Sequence, residues 1–490
     1  LSNKMDNSLL AVRDINHKYI VVGGKSVKKR NIATVILCAA VLTACSQTEK
    51  APEQRETETS ATNKKESSAE NSEEEMKTSV SGQTITVYYA DNPDVVDPIK
   101  DKVGEFEEAT GIKVNIETVP ESESRTKAPL IHASKSTEYD VFVEATNGFA
   151  GSVKAGWYDP VDNYLPEDFD LDDFPNAMLE LMTADGHLYG LPIRSETNIM
   201  MYRKDVFEEL GIEVPQTLDE YRAAAEKMTR DTNGDGKIDF YGTAHRGDPG
   251  QSAYSFTYFL KSMGGHFLNS EMKADMTSQE AKQALELYCE LNQRFAPPGG
   301  IVYTWDQVFG GIQNGTVGMI IDSSIQAGIL EDPNKSTTVG KIGYAVPPKG
   351  AAGSKPDLKC YGYYISAYSL KKEAASQFIQ WATGAELQKY AFDKYGVAAL
   401  TRNSVLDYAS NKAPYFQAIK EAMKVGDIYY LPLIPECDGI YGATGEAVSA
   451  ALAGTKGIEE ALEEANIKIQ KMIDDAGYTE IPEFIRDGKG

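Results

Sequence analysis

Residues 189–228, YGLPIRSETNIMMYRKDVFEELGIEVPQTLDEYRAAAEKM, constrain the fold of this chain more than any other stretch. Gly190 and Pro192 cannot sit inside a helix, while Ile199, Met200, Met201 and Tyr202 form an apolar run of strand length. The pattern predicts a strand that enters a new domain. Asp205 stands three residues before Glu208 and Thr217 three before Glu220, so each pair has the spacing of a capping box. Gly211 occupies the place of a left-handed C-cap, and Pro215 blocks extension of the first helix. Strand, helix, loop, helix is the expected order.

Upstream, Lys28, Lys29 and Arg30 precede an apolar run at 32–42 that closes on Leu42, Thr43, Ala44 and Cys45. A basic start, a short apolar run and small residues predict a secretory signal at 27–45, since a bilayer span needs about 20 apolar residues. Its end resembles the bacterial lipobox, which implies lipidation at Cys45. Residues 1–26 are read as an upstream extension without a structural role, with translation starting at Val27. Residues 46–80, rich in Ser, Thr, Glu and Lys and free of aromatics, are read as a disordered tether. Of five cysteines, Cys289, Cys360 and Cys437 lie beyond the signal and lipobox, and without CxxC spacing they form neither a disulfide framework nor a zinc site. A net charge of -24 opposes nucleic-acid or anionic-membrane partners and fits a monomeric surface protein.

Beyond the tether, 85–89 alternates as a strand, and Ile99, Val103 and Phe106 share one helix face before Gly111. Further strands at 114–119 and 140–143 complete βαβ units, which makes the fold class α/β. Ligands collect beyond the carboxyl ends of such strands, singling out Asp91, Asn92, Glu144 and Asn147, although the same residue types also cap ordinary turns. Asp231, Asn233, Asp235, Lys237 and Asp239, with Gly236 for the turn, have the spacing of a Ca²⁺ loop. Position twelve is Gly242, so the bidentate Glu is missing and an acidic turn without metal is the competing reading.

The stretches LPIRSETNIMMYRK, YDVFVEATNGFAGSVKAGWYDPVDNYLP and FAPPGGIVYTWDQVFGGIQNGTVGMIIDSS resemble the extracellular solute-binding proteins of ABC importers, in the maltose-binding-protein-like group. The resemblance covers nearly all of the chain from Thr84 onward. It implies a periplasmic-binding-protein-like fold, two α/β lobes joined by a hinge with the ligand cleft between them. The first lobe would comprise 81–192 and about 323–367, and the second 193–322 and about 368–490, with crossings near Pro192 and Asp322. By the same resemblance Glu196 holds sugar hydroxyls, Asp91, Asn92, Glu144 and Asn147 line the first lobe, and Tyr254 packs on the sugar. Trp305, Asp322, Tyr361, Tyr363, Asp438 and Tyr441 complete the implied site.

The expected function is capture of a sugar, oligosaccharide or sugar alcohol by a lipoprotein anchored to the outer face of the bacterial cytoplasmic membrane. Hinge closure then delivers the ligand to the membrane subunits of an ABC importer, with Ca²⁺ as a structural ion. Carboxylates, amides and Tyr rings suit that task, since they bond hydroxyls and cover the CH face of a sugar. The alternatives are a secreted carbohydrate-active enzyme using paired carboxylates and a peptide-binding lipoprotein of the same importer class. No HExxH or GxSxG motif supports the enzyme, and a peptide site would depend less on Tyr.

Overall fold

The computed structural model describes residues 80–490 and, separately, a two-stranded antiparallel ribbon of Tyr19–Val22 with Lys25–Lys28. The ribbon belongs to a unit of its own, residues 1–65. Cys45, most of the signal and the tether lie outside the described residues. No helix among the described residues is long and apolar enough to cross a membrane.

Nine strands make one mixed sheet: β1 (Thr84–Ala90), β2 (Lys113–Val119), β3 (Val141–Ala145), β4 (Tyr158–Asp159), β5 (Gly190–Arg203), β6 (Tyr241–Thr243), β7 (Val317–Ser323), β8 (Ile342–Ala345) and β9 (Leu358–Ser366). The order is β6-β7-β5-β9-β3-β1-β2, with β8 added to β5 and β4 to β9. The architecture is α/β, as expected. What was read as a short strand at 199–202 is the second part of β5, 14 residues long. Its first part pairs with β9, from Gly190 opposite Tyr364 to Thr197 opposite Leu358, and its second part pairs with β7 and β8. One strand thus serves two lobes. Pro192, which has no N–H to give, is tolerated inside it because it faces Gly362 where the register shifts.

The period of two along β5 decides which core each residue enters. Met200 packs with Phe256 and Tyr288 on one face of the second lobe, while Ile199 and Met201 pack with Val308, Phe416 and Ile419 on the other. The first lobe has its own core, built from Ile85, Val87, Val141, Phe378 and Tyr363 among others. This packing moves two of the expected lobe boundaries. Segment 327–345, placed in the first lobe, belongs to the second, because β8 pairs with Met200–Arg203 and Leu330 joins Ile199 in its core. Helix Lys372–Ala382, placed in the second lobe, buries Ala374, Phe378 and Ile379 in the first core. The second crossing is likewise not at Asp322, since β7 stays with the second half of β5 throughout. It falls between Ala345 and Leu358.

Helix α1 (Lys204–Leu210) begins without a side-chain cap, since Asp205 is taken by Arg203 at 2.8 and 2.6 Å, and the first expected capping box does not form. The second does: the Glu220 N–H donates to Thr217 Oγ1 and the Thr217 N–H to Glu220 Oε2, both at 3.2 Å, opening α2 (Leu218–Met228). Gly211 closes α1 at φ +57°.

Gly242, the position where the Ca²⁺ loop wants its Glu, lies in β6 against the main chain of α2. A Cβ there would come within 2.0 Å of the Ala225 carbonyl oxygen. Helix and strand touch because nothing projects between them. Gly242→Ala should therefore lower the free energy of unfolding by about 1–3 kcal/mol. Gly242→Glu, which completes the loop motif on paper, should destabilise further and gain no Ca²⁺ response. Urea unfolding with Ca²⁺ or chelator checks both, and a Glu variant stabilised by Ca²⁺ would refute this account.

Candidate functional site

Strand alternation places Arg194 and Glu196 on one face of β5, and the register of β9 sets Tyr361 opposite Arg194 and Lys359 opposite Glu196. The register alone builds a network. Glu196 Oε1 takes the Arg194 guanidinium, and Oε2 takes Lys359 Nζ at 3.2 Å and Ser323 Oγ at 3.3 Å. Arg194 Nε donates at 2.8 Å to Asp94, in the first turn of helix Pro93–Thr110. Its guanidinium also lies 4.8 Å from the Tyr361 ring centroid. Burial by itself would raise the Glu196 carboxyl, but Arg194 and Lys359 override it and hold it at about 2. Glu196 in turn keeps Lys359 charged above the usual lysine range against burial.

A second pair comes from the other lobe. Asp322, fully buried at the end of β7, binds Arg246 by two bonds, one from Nε at 3.0 Å. Arg246 covers the Tyr254 ring at 4.3 Å, and Lys359 approaches both Tyr254 and Tyr361 at 5.6 Å. Cations and tyrosine rings thus alternate across the crossing, with Arg194, Lys359 and Arg246 set against Asp94, Glu196 and Asp322. Asp357 is a fourth carboxyl beside them, and burial pushes it up to about 7. Near the crossing, Asp357 Oδ2, the Tyr254 hydroxyl, Thr197 Oγ1 and Asn198 Oδ1 are buried without a hydrogen-bond partner. Each such group costs about 1–3 kcal/mol when left dry, so the arrangement calls for hydroxyls or water to fill it.

Of the expected site residues, Glu196, Tyr254, Asp322 and Tyr361 meet here. Asn147 reaches the neighbourhood through the Tyr430 hydroxyl, which donates to its Oδ1 at 3.1 Å, and Tyr441 lies close enough to act on Arg246. Others are placed elsewhere. Tyr363 is core: its hydroxyl bonds Tyr89 at 2.8 Å and its ring packs on Phe378. Glu144 faces away from the crossing, toward Tyr158 and His132, because it occupies the β3 position alternate to Ala145, which pairs with Tyr361. Asp91 is exposed, and Asn92 folds back on the Ala90 carbonyl at 3.4 Å, so Asp94, in the helix that follows, is the residue of this stretch that enters the network. Trp305 and Asp438 are exposed at helix starts. Lys359 was legible as an alternate neighbour of Tyr361; Arg246 and Asp357, paired across long stretches of chain, left no local signal.

In the acidic loop, Asp231 accepts the N–H groups of Asn233, Gly234 and Gly236, Asp235 accepts that of Lys237, and Asp239 binds Thr232. Among the described residues no three acidic, His or Cys side chains converge as metal ligands.

Glu196→Gln would leave Lys359 without its carboxylate and Arg194 with Asp94 alone, and the loss of stability at neutral pH should be roughly 3–5 kcal/mol. Folding lowers this carboxyl's pKa, so its contribution is complete above the unfolded value of about 4.5 and disappears as pH falls toward about 2. The gap between wild type and variant, from chemical unfolding, should be constant above about pH 5 and narrow below it. A gap independent of pH would show that Glu196 acts through shape rather than charge.

Comparison with known proteins places this geometry. The family described as bacterial extracellular solute-binding protein matches residues 90–389. A mannitol-binding protein of Pseudomonas aeruginosa is 27% identical over 344 residues, covering 66% of this chain and 78% of that protein. An erythritol/L-threitol-binding protein of Mycolicibacterium smegmatis is 24% identical over 379 residues, covering 72% and 78%. Among solved structures, a solute-binding protein of Agrobacterium vitis with bound D-mannitol superposes with a TM-score of 0.71 at 28% identity, over 81% of this chain and 100% of that one. A ribitol complex from Agrobacterium radiobacter gives 0.71 at 26%, over 80% and 99%.

Proposed function

Since the chain belongs to the bacterial extracellular solute-binding proteins, we propose that it captures an uncharged polyhydroxylated ligand, a sugar alcohol or small sugar, at the crossing between its lobes. The carrying observation is the set of buried, unpartnered oxygens beside a network whose charges already compensate one another. With Arg194, Lys359 and Arg246 set against Asp94, Glu196 and Asp322, and Asp357 as a further acceptor, an anion would leave buried negative charge unbalanced, whereas hydroxyls both donate and accept. Relatives named for mannitol and for erythritol or L-threitol, and neighbours holding ribitol and mannitol, support the same class. The peptide reading has no such support in the crossing. Delivery to the membrane subunits of an ABC importer, and anchoring through a lipid on Cys45, are parts of the proposal.

Catalysis is no part of it. Of the two carboxylates that the enzyme reading would pair, Glu196 is held at about 2 and carries no proton to give near the working pH. Glu144, the other half of an imagined acid-base pair, has Tyr158 and His132 for partners. Purified protein should be stabilised by D-mannitol, ribitol or erythritol according to mass action, by about 2.7 kcal/mol at a hundredfold excess over Kd. Calorimetry and thermal unfolding read the binding, and mass spectrometry should recover the ligand intact. A polyol or oligosaccharide converted to product would overturn the transport reading.

A further inference from the structure

Asp357 ends the second crossing and stands where three connections between the lobes meet. Its Oδ1 accepts the Asn198 N–H at 2.8 Å, at the residue where β5 passes from one lobe's strands to the other's. Its main chain is tied to the last connection: the Leu358 N–H donates to the Asp427 carbonyl at 3.1 Å, and the Asp427 N–H to Pro356 at 2.7 Å. The side chain is 3% exposed, and Oδ2 accepts from nothing. Tyr254, on helix Ser252–Met263 of the second lobe, is its neighbour: the phenol is near enough to lower the Asp357 carboxyl, yet its hydroxyl is buried outside hydrogen-bonding geometry. An alcohol can accept from a phenol and donate to a carboxylate at once; an ether or a carbonyl has no proton for the second bond. Glu196 differs: both its oxygens are engaged by Arg194, Lys359 and Ser323.

We propose that Asp357 is the carboxylate that takes a hydroxyl of the ligand, bridged to Tyr254 by the same hydroxyl, and that Glu196 is a positioning residue holding Arg194 and Lys359. The proposal rests on the polyol-capture reading above. It gives the binding step a handle on the hinge, because the group that meets the ligand is bonded to two other connections. The groups facing Asp357 are Lys359 from β9, the strand that follows it, Glu196 from β5, Tyr254 from the helix and Tyr430 from the last connection. Among these, burial and Glu196 outweigh Lys359 and bring the carboxyl to about 7. A hydroxyl that donates to Oδ2 favours the ionised form, so binding expels a proton and affinity falls as pH drops from about 8 to about 6.

The test is calorimetry of the purified chain with D-mannitol, ribitol and erythritol at pH 6, 7 and 8, for wild type, Asp357→Asn, Tyr254→Phe and Glu196→Gln, each checked for fold by circular dichroism. For whichever polyol binds, wild-type affinity should rise about three- to tenfold from pH 6 to pH 8. Asp357→Asn should bind at least about tenfold more weakly at pH 8, with no pH slope, and Tyr254→Phe more weakly with the slope kept. An Asn variant with wild-type affinity and slope overturns the assignment while leaving polyol capture intact. Failure of wild type to bind any of the three sinks the capture reading itself. Should the Asn variant not fold, titrating wild type at pH 7 in two buffers of different ionisation enthalpy decides the matter. Net proton release supports the assignment, and none refutes it.

Discussion

The ion network of Arg194, Glu196 and Lys359 is the interaction on which the crossing depends. Removing an ion from water costs several kcal/mol, and a pair recovers this only when its geometry is good and its remaining donors and acceptors are met. Here β5 and β9 lie in fixed register, so Lys359 and Tyr361 fall opposite Glu196 and Arg194 without any loop having to find them. Asp94 and Ser323 then engage the donors and acceptor oxygens that the strand pair leaves over. A slip of one residue between these strands would turn the whole set to the other face and strand each charge in an apolar core. Register and charge therefore hold one another in place.

That coupling explains why the hinge can be both polar and well defined. Several segments pass between the lobes near one place: β5 at Thr197 and Asn198, the approach to Leu358, and the stretch from Ile428, in the first core, to Tyr430, in the second. Main-chain hydrogen bonds join the last two, and a side chain joins the second to β5. A relative movement of the lobes about these segments must bend them together. The groups that would sense it, Asp357, Tyr254 and Tyr430, lie on or beside them.

Much of the fold was legible because it rests on local rules. Alternation, the Thr217 capping box and the left-handed Gly211 each need only a few neighbouring residues. Asp205 misled because Arg203 offered it a stronger partner than a helix N–H, and a charged bidentate pair outcompetes a cap. The lobe boundaries failed where strand partners decide them: β8 carries no mark of whether it will join β5 or cross over. In the site, Glu196 and Tyr361 could be named from their surroundings in sequence. Arg246 and Asp357 could not, since what brings them into the network is a partner 76 residues away for one and a junction of three segments for the other. Tyr363 and Glu144 show the same limit from the opposite side. They sit next to site residues in sequence and are carried off by alternation.

The acidic loop and the crossing use the same residue types with opposite outcomes, and solvent is the reason. Asp235 is exposed and Asp231 partly so, and the nearest partners for their oxygens are the N–H groups of their own turn, which fold the loop on itself. At the crossing, Glu196, Asp322 and Asp357 are buried away from water. They must draw cations from distant strands, and one oxygen of Asp357 draws none. An unmet acceptor in water carries no information, because water meets it. Unmet and buried where the segments between the lobes meet, it is an acceptor that water or the hydroxyl of an entering molecule would satisfy, and burial is what sets it apart from the acceptors of the loop.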